Sequence, residues 1–280
     1  MIFVFDCTEG LCNQIHDIVT GISFCVHNNM PFTFRYASFR NDDLISWFDT
    51  NFENLFDTSF LKKIRLYIDI DILNLNEENT LNYNSDTFLR DLLQTINSST
   101  CIQFIKYLDS FGKHCVVIKQ PWCLNKFKFE ILDLYNKIKP SKKILNIYNN
   151  IKKDLYLDNQ TYNFIHYRYE HDFINFFNIT DNKSLYTVIK TINFNKKLCL
   201  YIATTNIENI LTSDDLNDLE NLNIKILYKD EKKIKDLNFE ERAFIDYIIG
   251  INAEEIYGHS KSSFSCMLNK FKNTQNYYDV

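Results

Sequence analysis

Glycine and proline are scarce, with five Gly and three Pro among 280 residues, so no Gly/Ser-rich or Pro-rich run marks a linker. No apolar stretch approaches the ~20 residues that cross a bilayer. The longest, such as "MIFVFDC", are strand-sized, and no transmembrane helix is expected. That same segment opens the chain without a basic leader or a small-residue cleavage site. No secretory signal is visible, and a cytoplasmic setting is expected. The eight Cys include no C-x-x-C pair, and Cys25, Cys115, Cys199 and Cys266 lie in apolar segments. Reduced core thiols are expected rather than disulfides or a metal site. The net charge is only −5 with a pI near 5.7, and Lys and Arg are interspersed with Asp and Glu. Without a basic footprint, nucleic acid is not an expected partner.

What the chain does have is apolar and aromatic mass, 45% and 15% of its residues, enough for a large core and for two domains. Short apolar runs alternate with segments of helical period, which predicts an α/β protein with largely parallel strands. Candidate strands are Ile2–Cys7, Pro31–Phe34, Ile64–Ile70, His114–Lys119, Asn163–Tyr169, Leu198–Thr204, Ile224–Tyr228 and Glu255–Gly258. Leu11, Ile15, Ile18 and Ile22 form the apolar stripe of a first helix, and Phe264, Met267, Leu268 and Phe271 that of a last one. Pro140 is the best punctuation point, dividing the chain into domains 1–140 and 141–280. Roughly Asp71 to Ser110 is polar, Asn-rich and expected to be irregular. N-x-[ST] triplets at Asn97, Asn159, Asn178 and Asn182 carry little information in a chain so rich in Asn. Two Rossmann-like domains facing a central cleft fit this pattern, with ligand at the carboxyl ends of their strands.

Three strand-to-helix junctions concentrate chemistry. In "FVFDCTEGLCNQIHDIVTGISF" a strand ends at Cys7, a turn with Gly10 follows, and a helix starts near Leu11, so backbone N–H groups point at whatever lies beyond the strand. Asn13 and Gln14 fall in its first turn. An anion site and an ordinary helix start both fit. In "NFIHYRYEHDF" alternation puts His166, Arg168 and Glu170 on one face and Ile165, Tyr167 and Tyr169 on the other. Arg168 offers the planar fork that suits a phosphate, although a local Arg–Glu pair on a half-exposed strand also fits. In "EERAFIDYIIGINAEEIYGHSKSSFSCML" Ala243, Tyr247 and Ile251 share a helical stripe with Asp246 off it. A short strand follows, and serines then start a helix, with Ser260, Ser262 or Ser263 as its N-cap.

Together, "EGLCNQIHD", "IHYRYEHDF" and "FIDYIIGINAEEIYGHSKSSFS" resemble the three motifs of the GDP-fucose-dependent fucosyltransferases, the superfamily of protein O-fucosyltransferases and α1,2/α1,6-fucosyltransferases. The "YRYEHDF" run is closest to the O-fucosyltransferase branch. The resemblance implies a GT-B fold and metal-independent, inverting transfer of fucose from GDP-fucose to a hydroxyl of a glycan or protein acceptor. Arg168 would bind the β-phosphate, His166 would face the nucleotide, and Asp246 would accept hydrogen bonds from guanine. Ser262, Ser263 and Phe264 would hold the diphosphate. Gly10, Asn13 and Gln14 would contact substrate from the opposing domain, Asn13 reaching the sugar or phosphate. Glu9 would be the general base, with Asp17 or no protein base as alternatives.

The chain departs from the family in one glycine: the residue before Asn13-Gln14 is Cys12. "DID" at Asp69–Asp71 has the D-x-D spacing of metal-dependent glycosyltransferases but lies in an apolar alternation, and no metal is expected. Another nucleotide-sugar as donor, or a non-catalytic nucleotide- or glycan-binding module, remains open alongside the leading reading.

Overall fold

A computed structural model of the chain describes residues 1–280 except 42–45, 84–100, 128, 181–182, 196–197, 206 and 280. The triplets at Asn97 and Asn182 and much of the Asn-rich segment therefore lie outside the described residues. The chain divides into two compact units, one of Met1–Asn41 with Ser46–Lys142, the other running from Lys143 onward. Pro140 is no slack linker: it is buried and forms a bridge with Phe56 inside the first unit.

The first unit contains β1 (Ile2–Asp6), α1 (Leu11–His27), β2 (Phe32–Arg40), β3 (Trp47–Asn51), α2 (Phe52–Leu55), β4 (Thr80–Tyr83), α3 (Cys101–Asp109) and β5 (Cys115–Lys119). The sheet order is β3-β2-β1-β5-β4. β1, β2, β4 and β5 are parallel, and β3 is an antiparallel edge. β1 is central, and Phe3, Val4 and Phe5 are fully buried, as a strand covered on both faces requires. α1 buries Ile15, Ile18 and Ile22 against it, the stripe predicted by the spacing. Gly21 is the point of closest approach, because a Cβ there would lie 2.9 Å from the Phe5 ring.

The second unit contains α4 (Lys142–Asp154), β6 (Tyr162–His166), α5 (His171–Phe177), α6 (Leu185–Thr191), β7 (Cys199–Ala203), α7 (Ser213–Asn221), β8 (Ile226–Leu227), α8 (Glu231–Ile234), α9 (Phe239–Asn252), β9 (Ile256–Tyr257) and α10 (Ser263–Lys272). Its strands run in the order β8-β7-β6-β9, all parallel. Ile165, Leu200 and Ile202 are buried with Leu185, Val188 and Leu219 from the covering helices.

Several sequence expectations change. Ile64–Ile70 is no strand; one bridge, Phe32 to Tyr67, stands in its place, and "DID" runs into a 3-10 turn in which Asp69 pairs with Lys62 at 3.5 Å. β3 and β4 were not expected, the latter because Asn and Thr mask its period. The strand predicted to reach Tyr169 ends at His166, since β9 pairs only through Ile165. Phe271, assigned to an apolar stripe, is 40% exposed. Conversely Asp246, expected off the stripe of its helix, is buried beside Phe244, Ile245 and Tyr247. All eight Cys are free thiols, with only Cys199 and Cys266 partly exposed.

Candidate functional site

In parallel α/β sheets ligands gather where successive connections leave a strand toward opposite sides, at the carboxyl ends. In the first unit that point lies between β1 and β5, and in the second between β6 and β9. Of the residues singled out from sequence, Glu9, Gly10 and Asn13 follow β1, while His166 ends β6, Arg168 follows it and the start of α10 follows β9, each within its own unit; Gln14 is tied instead to β2, and Asp246 to β7 and the segment after β8.

Beyond β1, Glu9 holds a left-handed backbone (φ 69°), and beyond β5 so does Gln120 (φ 55°). Such conformations cost on the order of 1–3 kcal/mol in a residue with a side chain and persist where the surroundings enforce them. The enforcement is visible. Asn13 Nδ2 donates to Glu9 Oε2 at 2.6 Å, and Gln120 Nε2 donates to Glu9 Oε1 at 3.1 Å. The Glu9 carboxylate is thus gripped from α1 on one side and from the end of β5 on the other. Gln14 plays a different part. It is fully buried, and its Nε2 donates to Glu9 O and Ser38 O, both at 2.7 Å, while its Oε1 accepts from Ser38 N. All three bonds go to backbone, so Gln14 fastens the turn to β2 and presents nothing outward. Asp17 is also fully buried and accepts from Thr8 N and Trp122 N. Burial pushes its carboxyl well above the ordinary range, and this packing removes Asp17 as a base for an incoming acceptor.

Gly10 is the N-cap of α1 and contributes no side-chain cap. The Arg40 guanidinium lies beside it: Nη2 is 3.2 Å from where a Gly10 Cβ would stand. Arg40 in turn sits over the Trp47 ring at 4.7 Å. A bulge between Phe5 and Asp6 shifts the β1–β2 register, and Arg35 reaches Asp6 there through two bonds of 3.0 and 2.6 Å. Bulges commonly re-aim a side chain in this way.

Beyond β6, His166 Nδ1 lies 2.8 Å from Ser265 Oγ, and its ring packs at 4.4 Å on Phe264. Burial, with the positive charges of Arg168 and Lys229, holds the imidazole well below its usual pKa, so it is neutral at physiological pH. Arg168 Nη1 lies 2.7 Å from Glu170 Oε2, and the guanidinium rests near the Phe173 and Phe239 rings. Ser262 is the buried N-cap of α10, its Oγ accepting from Ser265 N at 3.4 Å, whereas Ser263 is exposed. The three-way ambiguity over the cap therefore resolves on Ser262. Asp246 is 7% exposed. Its Oδ1 accepts from Tyr201 Oη at 2.8 Å, and its Oδ2 pairs with Lys229 Nζ. Burial pushes its carboxyl up against the pull of both partners.

The second unit therefore gathers His166, Phe264 and the α10 start at one end of β6, with Arg168 just beyond and Asp246 adjacent through Tyr247, whose ring meets Phe264 at 6.1 Å. Sequence reasoning missed Tyr201, Lys229, Ser265, Tyr278 and Gln120. Lys229 and Gln120 each follow the carboxyl end of a strand-like run, and the rule that singled out Arg168 applies equally to them.

No protein-family model and no curated protein matches the sequence. Solved structures do match. POFUT1 in complex with GDP aligns over 100% of this chain and 98% of its own, with a TM-score of 0.63 at 11% identity. POFUT1 in complex with GDP-fucose gives 0.61 at 10% identity, over 99% of this chain and 95% of its own. The fucosyltransferase NodZ from Bradyrhizobium gives 0.53 at 12% identity, over 95% and 91%. The chain has the GT-B fold of these proteins. At such identities the likeness is one of fold, and the chemistry rests on the residues above. No helix among the described residues is long and apolar enough to cross a membrane.

Proposed function

We propose that the protein transfers fucose from GDP-fucose to a hydroxyl of a glycan or protein acceptor, with inversion and without a metal. The observation that carries this reading is Arg168 at the carboxyl end of β6, beside neutral His166, Phe264 and the amino terminus of α10, in a fold that POFUT1 presents with GDP bound. Charge develops on the leaving diphosphate as the sugar–oxygen bond breaks. The Arg168 guanidinium, here paired with Glu170 as the local alternative expected, and a helix amino terminus would supply donors and positive potential there, the service a divalent cation gives elsewhere. Ser263 offers its hydroxyl at the first helical turn, and Ser262 keeps that turn in place. His166, uncharged, offers a ring face and a nitrogen to the nucleotide. Asp246 is the guanine contact: its oxygens already accept from Tyr201 and Lys229, and each retains a lone pair for a base N–H. Glu9, held by Asn13 and Gln120, takes the acceptor proton as the new bond forms, and Gly10 and Asn13 line the acceptor turn.

The engagement of both Asp246 oxygens also favours a second reading, a donor carrying another base. Competition among GDP, UDP and dTDP separates the two. The main test is calorimetric titration with GDP followed by a donor-hydrolysis assay. Arg168→Ala should cut turnover by about 10²–10³-fold, and Glu9→Gln should keep GDP binding while losing transfer. Absence of GDP binding by the intact protein, or full activity of Arg168→Ala, refutes the assignment. Tight GDP binding with no transfer to any acceptor in a glycan and peptide panel points instead to a binding module.

A further inference from the structure

β9 pairs with β6 only as far as Tyr257. The N–H that would extend the ladder, that of His259, turns away and donates to Ser265 Oγ at 3.2 Å. The chain returns to this place at 276–279. Gly258 bridges Tyr277, Gly258 N donates to Asn276 O at 3.2 Å, and Tyr278 N donates to Gly258 O at 3.0 Å. The Tyr278 hydroxyl then does what the absent strand residue would have done. It accepts from Arg168 N at 3.1 Å and donates to His166 O at 3.3 Å. One phenol thus holds the backbone on both sides of Tyr167, at the two residues proposed to meet the nucleotide. The Tyr278 ring is 6% exposed and packs among Tyr167, Tyr169 and His259 at 6.3, 6.0 and 5.8 Å. Asp279 continues the same clamp. Its Oδ1 accepts from Ser260 N at 2.7 Å and its Oδ2 from Ser260 Oγ at 2.6 Å, which fixes the turn leading into Ser262 and α10.

We propose that Tyr278 is a positioning residue for the donor site, setting the place of Arg168 through its backbone, and that Asp279 does the same for the amino terminus of α10. This rests on the reading of Arg168 as the diphosphate ligand. A guanidinium at the end of a flexible side chain is aimed only as well as its own Cα is held. Beyond the last ladder bond of β6, Tyr278 is what holds it from the β9 side. Removing the hydroxyl leaves the part-buried Arg168 N–H and His166 carbonyl to find other partners, and the segment carrying Arg168 loosens.

The experiment is GDP titration of the full chain in four forms: wild type, Tyr278→Phe, Arg168→Ala and the double variant, each with its melting temperature. Tyr278→Phe keeps the ring and should weaken GDP binding about tenfold. The same change in the Arg168→Ala background should cost clearly less than in wild type, because Tyr278 acts mainly through Arg168 and only the share carried by the His166 carbonyl remains. Amide exchange should show the Arg168 N–H losing protection in Tyr278→Phe without any ligand. Equal losses in both backgrounds, or no loss in Tyr278→Phe, overturn the proposal while leaving the donor assignment standing. A wild type that binds no GDP overturns both. Should Tyr278→Phe fail to fold, Asp279→Asn carries the test, and its loss must vanish in a Ser263→Ala background.

Discussion

The glycine at 258 offers a sharp test of how the second unit is packed. A Cβ added there would lie 2.3 Å from Ser265 Oγ and 2.4 Å from Ser265 Cβ, against ordinary contact at 3.4 Å or more. The overlap with Oγ alone could be relieved by rotating the hydroxyl, but the overlap with Cβ cannot, because that atom is fixed to the backbone of α10. Ser265 is fully buried, and its Oγ meets His166 Nδ1 and His259 N, so either α10 shifts or the end of β9 does. Overpacking of this kind costs about 1–3 kcal/mol, and the strained bond to His166 adds about 1 kcal/mol. Gly258→Ala should therefore lower stability by about 2–4 kcal/mol, a drop in Tm on the order of 5–15 °C. The control is Gly250→Ala. Its Cβ would also be too close, 2.7 Å from Leu268 Cδ1 and 3.2 Å from Phe164 Cζ, but these are side-chain ends that can shift without moving a backbone, and alanine in a helix interior recovers about 1 kcal/mol over glycine. Near-UV circular dichroism melts of both variants should find Gly250→Ala less destabilised than Gly258→Ala, which falls far below wild type. Equal shifts in the two, or an unchanged Gly258→Ala, would refute the reasoning. Because the displaced helix start belongs to the proposed donor site, Gly258→Ala should also lose GDP affinity while Gly250→Ala retains it.

Two further expectations follow from the same region. Lys229→Met strands Asp246 as a buried, unpaired carboxylate and should cost about 3–5 kcal/mol near neutral pH. A carboxyl whose folded pKa lies above its unfolded value contributes stability at low pH and loses it as pH rises through the folded value. Burial already raises Asp246, and loss of Lys229 raises it further. The deficit measured by urea unfolding should accordingly shrink as pH falls toward ~5, and Asp246→Asn in the same chain should remove its pH dependence. Ser262→Ala deletes a helix cap and should cost about 1 kcal/mol of stability, whereas Ser263→Ala, at an exposed position, should leave Tm unchanged and weaken GDP binding in calorimetry.

The sequence carried the sheets better than their edges. Central strands such as Ile2–Asp6 and Cys115–Lys119 are continuous apolar runs because both faces are covered, and such runs are legible without partners. β3, with Trp47 and Phe48 at 40% and 41% exposure, has no buried face to impose a period, and Ile64–Ile70 alternates without becoming a strand because Tyr67 N turns back to Ile64 O at 2.9 Å and a 3-10 turn takes over at Ile70. At the site, position along the chain was readable while direction was not. Asn13 and Gln14 are neighbours of similar chemistry in the same helical turn, yet Asn13 meets Glu9 and Gln14 is sunk into β2. Ser262 and Ser263 divide the same way into cap and exposed hydroxyl. A single sequence contains the identities of such pairs but not the rotation of the helix that separates them, since that rotation is fixed by what the opposite face buries.

The residues missed from sequence, Tyr278 and Gln120, share a logic. Each makes a long-range bond to the backbone or carboxylate of a residue that motif reasoning had already found, and each stands where a strand ladder has run out. Motifs name the groups that meet a ligand, because ligand chemistry restricts their type. The groups that hold those in place need only one donor or acceptor at the right distance, and many residue types can provide it. In this chain a phenol from position 278 and an amide from position 120 fill those places. That is why the residues proposed for the donor site are named by motif resemblance, while the contacts that would aim them are seen only in the folded chain.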